Sequence, residues 1–396
     1  MNLHYVIPQF PELSQTFVFD QMRYLKTQGH ELSVGCRKYI SHNKHIVSED
    51  FYDHLIIPSS PQSILQDLKF WKKGKSEIKK KRFVGQLALR LIKNNQIPDV
   101  IVAHFGPNVL VAVQLKDILQ QNLNREIPLI GVFHGYDLSK YLKKNGIQDY
   151  IDNASSIDRF VTISQYWETL LVEAGISKQK IKTVRLGVDI PAKKQITSRA
   201  DASVCSIVSV GRMVEKKGFD DLIEAFGVVA KSHSAVTLEL VGDGPLKSQL
   251  IQQAKKAGVG DRIKFWGSFS HAQALEKIRS ATVFALPSKT ASDGDMEGIP
   301  VVLMEAMAAA VPVVSTYHSG ISELIEDGIS GLLVPEHSPS QLAGSIIDLL
   351  RDKDKRIRLA NAGRKCVEKD YSKSIQNQLF ENELKFDGYA SPDISP

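Results

Sequence analysis

Three cysteines in 396 residues, Cys36, Cys205 and Cys366, are too few and too far apart for a disulfide framework, and none forms a C-x-x-C pair that would suggest zinc. They point to a reducing compartment, so the chain is expected in the cytoplasm. No stretch reaches the roughly 18 apolar residues, free of proline and charge, that a membrane helix needs. The start, MNLHYVIPQFPELSQ, lacks the basic segment and small-residue cleavage site of a signal peptide, and reads as a first strand. Neither G-x-G-x-x-G nor G-x-x-x-x-G-K-[ST] occurs, which removes the dinucleotide and P-loop fingerprints. No short-period repeat is visible. No nucleic-acid motif accompanies the net charge of +6, so nucleic acid is not expected as a partner.

What is present is ordinary for a globular protein: 43% hydrophobic and 24% charged residues. The length exceeds one core, so two domains are expected. The basic excess is partly local. WKKGKSEIKKKR, from Trp71 to Arg82, sets seven Lys and Arg against one Glu. It reads either as a solvated basic loop or as a patch facing anionic lipid or a phosphate-bearing substrate.

Short apolar runs alternate with helix-length segments. The strands expected in the first half are LHYVIP, ELSVGCR, HLIIP, DVIVAHFG, PLIGVFHG, RFVTIS and IKTVRLGVD. Those in the second half are VCSIVSVGR, VTLELVGDG, IKFWGS, TVFALPS, VPVVSTYHSG and GLLVP. Continuous Val/Ile/Leu runs suit parallel strands covered on both faces, and their alternation with helices gives an α/β fold of two doubly wound domains. The polar stretch Gly187 to Ser203 is the expected boundary. The divisions are 1–190, 191–370, and 371–396, the last a helix packing back on the first domain and then a polar tail. Two such halves imply a central cleft, with ligands beyond the carboxyl ends of the strands. Those ends carry AHFG, FHGYD, VGRMVEKKG, VGDGP, LPSKTASDGDMEG and TYHSGISE.

DMEGIPVVLMEAMAAAVPVV, Asp295 to Val314, has one charged residue after Glu297, namely Glu305. Proline favours the first helical turn, so a helix is expected from Pro300 to about Ala310, with Glu297 on the loop before it. Glu305 then lies about 7.5 Å along the axis from Pro300. A carboxylate inside an all-apolar helix needs a cation, backbone amides or ligand hydroxyls, since burying it alone costs several kcal/mol. In VGRMVEKKG, Arg212 and Lys217 flank a short loop where their heads can converge on a pyrophosphate. A second anion site is expected at YHSGISELI, where Gly320 allows close backbone approach and a helix begins.

These residues resemble the retaining glycosyltransferases of family 4, with the GT-B fold of two Rossmann-like domains. The likeness is carried by VGRMVEKKG, ELVGDGPLKSQL, FWGSFS, EGIPVVLME and VPVVSTYHSGISELIEDGISGLLV, from about Val204 to Pro335, and extends to FHG and GVD. The GDMEGIPVVLMEAMA stretch is most similar to the colanic-acid and exopolysaccharide branch. The resemblance implies that Glu305 binds the ribose of a sugar nucleotide and that Glu297 contacts its hexose, with Gly298 and Ile299 beside it. Arg212 and Lys217 would hold and stabilise the departing diphosphate. Amides near Gly320 and Ile321 would meet the sugar or phosphate. The base would sit near Gly242, Gly244 and WGSF, and His134 against the transferred sugar. Relatives often carry glycines in the first loop. Here IPQFPELSQTF has two prolines and no glycine, which suits an acceptor side formed with Phe10, Ser14 and His104.

The implied activity is retaining transfer of a hexose from a nucleotide-diphosphate sugar to a saccharide. A UDP-sugar is favoured, with UDP-galactose a candidate, and the acceptor is expected to be linked to undecaprenyl diphosphate. Glu297, His134, Arg212 and Lys217 are the expected catalytic set. No metal or other cofactor is expected, although SDGD, Ser292 to Asp295, is the one acidic cluster to weigh. Peripheral contact with the inner face of an anionic membrane would follow from the basic stretch. The rivals are a non-catalytic sugar-nucleotide-binding subunit and another GT-B enzyme of phosphorylase or epimerase type.

Overall fold

The computed structural model describes residues 1–11, 16–40, 55–56, 75–192 and 205–386. The chain forms two compact units. The first comprises Met1–Ile163, Glu168–Val184 and the chain from Asn377 onward; the second comprises Ser164–Trp167 and Arg185–Gln376.

Unit 1 is built on a parallel sheet of β1 (Asn2–Phe10), β2 (Glu31–Tyr39), β3 (Leu55–Ile56), β4 (Val100–His104), β5 (Leu129–Phe133), β6 (Arg159–Thr162) and β7 (Ile181–Thr183). Its order is β3-β2-β1-β4-β5-β6-β7. Every residue of β4 and β5 is buried, which is why VIVAH and LIGVF read as unbroken apolar runs. The helix Lys75–Lys93 places Val84, Leu87, Ala88 and Leu91 in the interior at i, i+3, i+4 and i+7. From Lys75 on, the basic stretch is therefore helical, and a loop there is corrected. Past Asn377 the chain returns to this unit, where Phe380 and Leu384 join its core and Tyr24 donates to Glu381 over 2.9 Å.

Unit 2 repeats the plan with β8 (Ser206–Val210), β9 (Thr237–Val241), β10 (Ile263–Gly267), β11 (Val283–Leu286), β12 (Val313–Thr316) and β13 (Leu332–Val334). The parallel order is β10-β9-β8-β11-β12-β13. All thirteen strands read from the sequence are present. In both sheets the strand order reverses beside the first strand, at β1/β4 and at β8/β11, and ligands bind doubly wound sheets outside the carboxyl ends at such points. Among the described residues no helix is long and apolar enough to cross a membrane.

The helix after Pro300 runs Val301–Ala308, two residues short of the expected end. Ala310 has φ 53°, outside the right-handed helical region, so the helix cannot continue through it. Leu303, Met304, Ala306, Met307 and Ala308 are buried, which accounts for the apolar run.

Candidate functional site

In unit 2 the turn after β8 grips the loop after β11 with three consecutive side chains. Glu215 accepts from the amide and hydroxyl of Ser292, over 2.9 and 2.7 Å. Lys216 reaches Asp295 at 3.1 Å and Glu297 at 3.5 Å, and Lys217 reaches the other oxygen of Glu297 at 3.0 Å. Burial alone would raise the Glu297 carboxyl, but Lys217 and Lys216 outweigh it and hold the group down at about 2. Its Oε1 is buried and makes no hydrogen bond among the described residues, the Lys216 ammonium standing 3.5 Å off, so this oxygen can still take a closer donor.

The backbone of Glu297 is fixed as well. Its amide donates to His318 Nε2 over 3.0 Å, so that nitrogen carries no proton; the ring proton sits on Nδ1 and is donated to Glu336 over 2.6 Å. Ser319, at φ 44°, turns its hydroxyl to the carbonyls of Glu297 and Gly298, over 2.8 and 2.9 Å. Gly298 and Ile299 are buried behind them. Arg212 is exposed, and no ion pair holds it among the described residues. Lys217 itself is paired with Glu297.

Glu305 is about one-tenth exposed, and its partner is His271, 2.7 Å away on the helix His271–Arg279. The lone carboxylate of the apolar helix is therefore an edge group with a cationic or polar neighbour, not a sealed charge.

Two glycine positions bring backbones together. A Cβ on Gly242, at φ 137°, would lie 1.9 Å from the Gly211 carbonyl, and one on Gly244 would meet Met213. The turn after β9 thus lies directly on the turn that carries Arg212, with Met213 donating to the Asp243 carbonyl over 2.8 Å. A Cβ on Gly320 would collide with Ile299 and Ser164 at 2.8 Å. The anion site expected after it is narrower than proposed from sequence. The helix Ile321–Leu324 has four residues, and the Ile321 amide already donates to the His318 carbonyl over 2.9 Å.

In unit 1 the ends of β4 and β5 are joined by Asp137. Its carboxylate accepts from the His134 amide over 2.8 and 3.0 Å and from the Gly106 amide over 2.9 Å. Burial raises this carboxyl to about 6, despite the amides that favour its charged form. His134 Nε2 meets His104 Nδ1 at 3.2 Å, and His104 Nε2 meets Gln21 Oε1 at 3.2 Å. Burial pushes His134 down to about 3, and burial together with His134 pushes His104 well below the usual range, so both rings are neutral.

The acceptor-side expectations need revision here. Phe10 is fully buried in the unit 1 core, edge-on to Phe19 at 5.2 Å, and offers no surface to a ligand. His104 has both ring nitrogens engaged, which leaves His134 as the histidine able to act outward. Ser14 lies outside the described residues. Asp295 of the SDGD cluster is spent on Lys216, and among the described residues no group of three or more His, Cys, Asp or Glu is placed to hold a metal ion. The sequence reading gave no site role to Lys216, Asp137, Gln21, His271, His318 or Ser319. Lys216 adjoined a chosen residue, and His318, Ser319 and Asp137 stood in quoted strand ends; Gln21 and His271 carried no such signal.

Two family models cover the chain. Glycosyltransferase Family 4 matches residues 14–191, and Glycosyl transferases group 1 matches residues 195–366. WcaL of Salmonella typhimurium, named for colanic acid biosynthesis as a glycosyltransferase, is 30% identical over 401 residues, covering 96% of this chain and 98% of that protein. The amylovoran biosynthesis glycosyltransferase AmsK of Erwinia amylovora is 29% identical over 403 residues, covering 95% and 97%. Among solved structures, Anabaena Alr3699/HepE in complex with UDP aligns with a TM-score of 0.75 at 20% identity, covering 97% of this chain and 99% of that one. Its complex with UDP-glucose aligns at 0.74 and 19%, covering 96% and 98%.

Proposed function

The chain belongs to the family 4, group 1 glycosyltransferases of GT-B fold and is a glycosyltransferase, and from that premise we propose a retaining hexosyltransferase that draws on a UDP-sugar, UDP-galactose included. The observation that carries this reading is Glu297. It is ionised, fixed at backbone and side chain, flanked by Lys216 and Lys217, and left with one buried oxygen that makes no hydrogen bond among the described residues. A hexose hydroxyl supplies the missing donor. As the glycosyl bond breaks, positive charge develops on the sugar and negative charge on the diphosphate; Glu297 faces the first, and Arg212 and Lys217 face the second. In this reading Glu305 takes the ribose hydroxyls in exchange for His271, and the amide near Gly320 takes part of the sugar or phosphate. The leaving-group charge is met by side chains, so no metal is called for. The UDP and UDP-glucose bound to the similar Anabaena protein favour uridine as the base.

The test is a thermal-shift screen of UDP-glucose, UDP-galactose and GDP-mannose, then transfer with the best donor and NMR assignment of the product anomer. Stabilisation by a UDP-sugar and a retained anomeric configuration are expected. Stabilisation by GDP-mannose alone would replace the donor, and inversion would end the retaining reading.

For the acceptor, the reading is a saccharide on undecaprenyl diphosphate in exopolysaccharide assembly, met by a cytoplasmic enzyme resting on the inner membrane face. The relatives named for colanic acid and amylovoran biosynthesis favour it, as does the basic stretch Trp71 to Arg82. Each Lys or Arg near an anionic surface contributes about 1 kcal/mol. Sedimentation with anionic and neutral vesicles, with Lys79, Lys80, Lys81 and Arg82 changed to Gln in a variant, tests it. Salt-sensitive pelleting with anionic vesicles, lost in the variant, is expected; equal pelleting of both proteins would remove the membrane contact.

A further inference from the structure

Two neutral histidines 3.2 Å apart share one proton, and which ring owns it decides what His134 can do. The answer comes from the far end of the chain of contacts. Gln21 Oε1 lies 3.1 Å from the Tyr5 hydroxyl and 3.2 Å from His104 Nε2. An amide oxygen only accepts, so the single proton of His104 is on Nε2 and its Nδ1 is a lone pair. The shared proton therefore belongs to His134 Nε2. That leaves His134 Nδ1 as an unprotonated acceptor, and no donor reaches it among the described residues.

The ring is also held in place. Phe105 packs 4.5 Å from it and Phe17 at 5.0 Å, centroid to centroid, with His104 nearly parallel at 5.5 Å. Phe105 keeps φ 71°, a costly conformation for an aromatic residue that persists only where its surroundings impose it. Asp137 fixes the His134 amide from below.

We propose that Tyr5, Gln21 and His104 are positioning residues that set the tautomer of His134, so that its Nδ1 accepts a hydrogen bond from a hydroxyl group of a sugar substrate. A ring protonated on Nδ1 would present a donor at the same place and would select a different hydroxyl geometry. The role of the sugar rests on the hexosyl-transfer reading; the tautomer does not.

The experiment uses the full chain with ¹⁵N-labelled histidine. Two-bond ¹⁵N–¹H correlation spectra report which nitrogen of each ring is protonated. The parent is expected to show His134 protonated on Nε2 alone. Gln21→Met removes the terminal acceptor from a half-buried helix position that tolerates methionine. It is expected to mix the His134 tautomers and lower kcat about tenfold, the scale of one hydrogen bond, with the donor KM little changed. His104→Leu, which removes both ring nitrogens from the relay, should behave like Gln21→Met. A parent protonated on Nδ1, or a Gln21→Met variant with unchanged spectrum and kcat, overturns the proposal. A parent with the expected spectrum but no hexosyl transfer would instead overturn the functional reading and leave the tautomer standing.

Discussion

The two units solve the problem of a polar group at a strand end in opposite ways. Unit 2 keeps its groups charged and cancels them at short range: Glu297 lies 3.0 Å from Lys217 and 3.5 Å from Lys216. Unit 1 strips its histidines of charge by burial and connects them by single protons. The lesson is that one fold, repeated within a chain, makes an electrostatic site where loops bring opposite charges together, and a neutral relay where rings and amides meet with no cation beside them.

Acid should separate the units most strongly. His4 and His134 are held at about 3 by burial, against about 6.5 in an unfolded chain, and burial with His134 beside it also lowers His104 well below that value. A depressed histidine contributes stability above pH 6.5 that is lost as the pH falls toward 3, at most about 5 kcal/mol per ring for 3.5 units. Glu297, depressed to about 2, loses its contribution only as the pH falls from 4.5 toward 2, on the order of 3 kcal/mol. Hydrogen exchange should therefore show the β1, β4 and β5 amides of unit 1 losing protection between pH 6.5 and 4.5, while β8 and β11 of unit 2 hold. Simultaneous loss below pH 4.5 would erase the contrast. Asp137 blunts it in the parent, because its carboxyl is raised to about 6. Its burial cost is relieved as the pH falls from 6 to 3.8, so Asp137→Asn should make the acid loss of unit 1 steeper.

Catalysis should show the next largest effect, centred on unit 2. If Glu297 and Lys217 meet the charges developing in the transition state as proposed, Glu297→Gln and Lys217→Ala should each lower transfer about 10²- to 10³-fold. Lys216→Gln should cost less, about tenfold, since Lys217 still faces Glu297. Steady-state kcat/KM decides this. Equal losses at Lys216 and Lys217 would show a shared cationic patch, not one leading lysine.

The sequence made unit 2 far more readable than unit 1, and the reason is chemical. Parallel strands buried on both faces leave unbroken apolar runs, which is why all thirteen could be read. Pro300 marked a helix start, and Glu305 stood out against an apolar background. Lys217 and Glu297 announced themselves as charges beside strand ends. What stayed hidden were partners set by tertiary packing. Gln21 lies on the amphipathic helix Thr16–Thr27, where a glutamine looks like any solvated face. His318 acts through a tautomer, and no spacing reveals which nitrogen holds a proton. Phe10 misled because it was assigned to the first loop, whereas β1 continues through it and the side chain turns into the core.

The smallest effect concerns His271, and it tests whether Glu305 belongs with the charged half of the comparison. Glu305→Gln removes the charge that strengthens hydrogen bonds to ribose hydroxyls, each worth roughly 1.5–3 kcal/mol, so donor affinity should drop about 10- to 100-fold by calorimetry. His271 is a different case. Its side chain is two-thirds exposed, and an exposed pair contributes about 0–1 kcal/mol. In the reading above, the donor ribose must also displace this ring from Glu305. His271→Ala therefore removes little stability and frees the oxygen that the ribose needs. Donor affinity in His271→Ala should stay within about threefold of the parent, on the tight side. A drop as large as that of Glu305→Gln would mean that the ring contacts the donor itself, and that the pair is part of the binding surface instead of a placeholder for it.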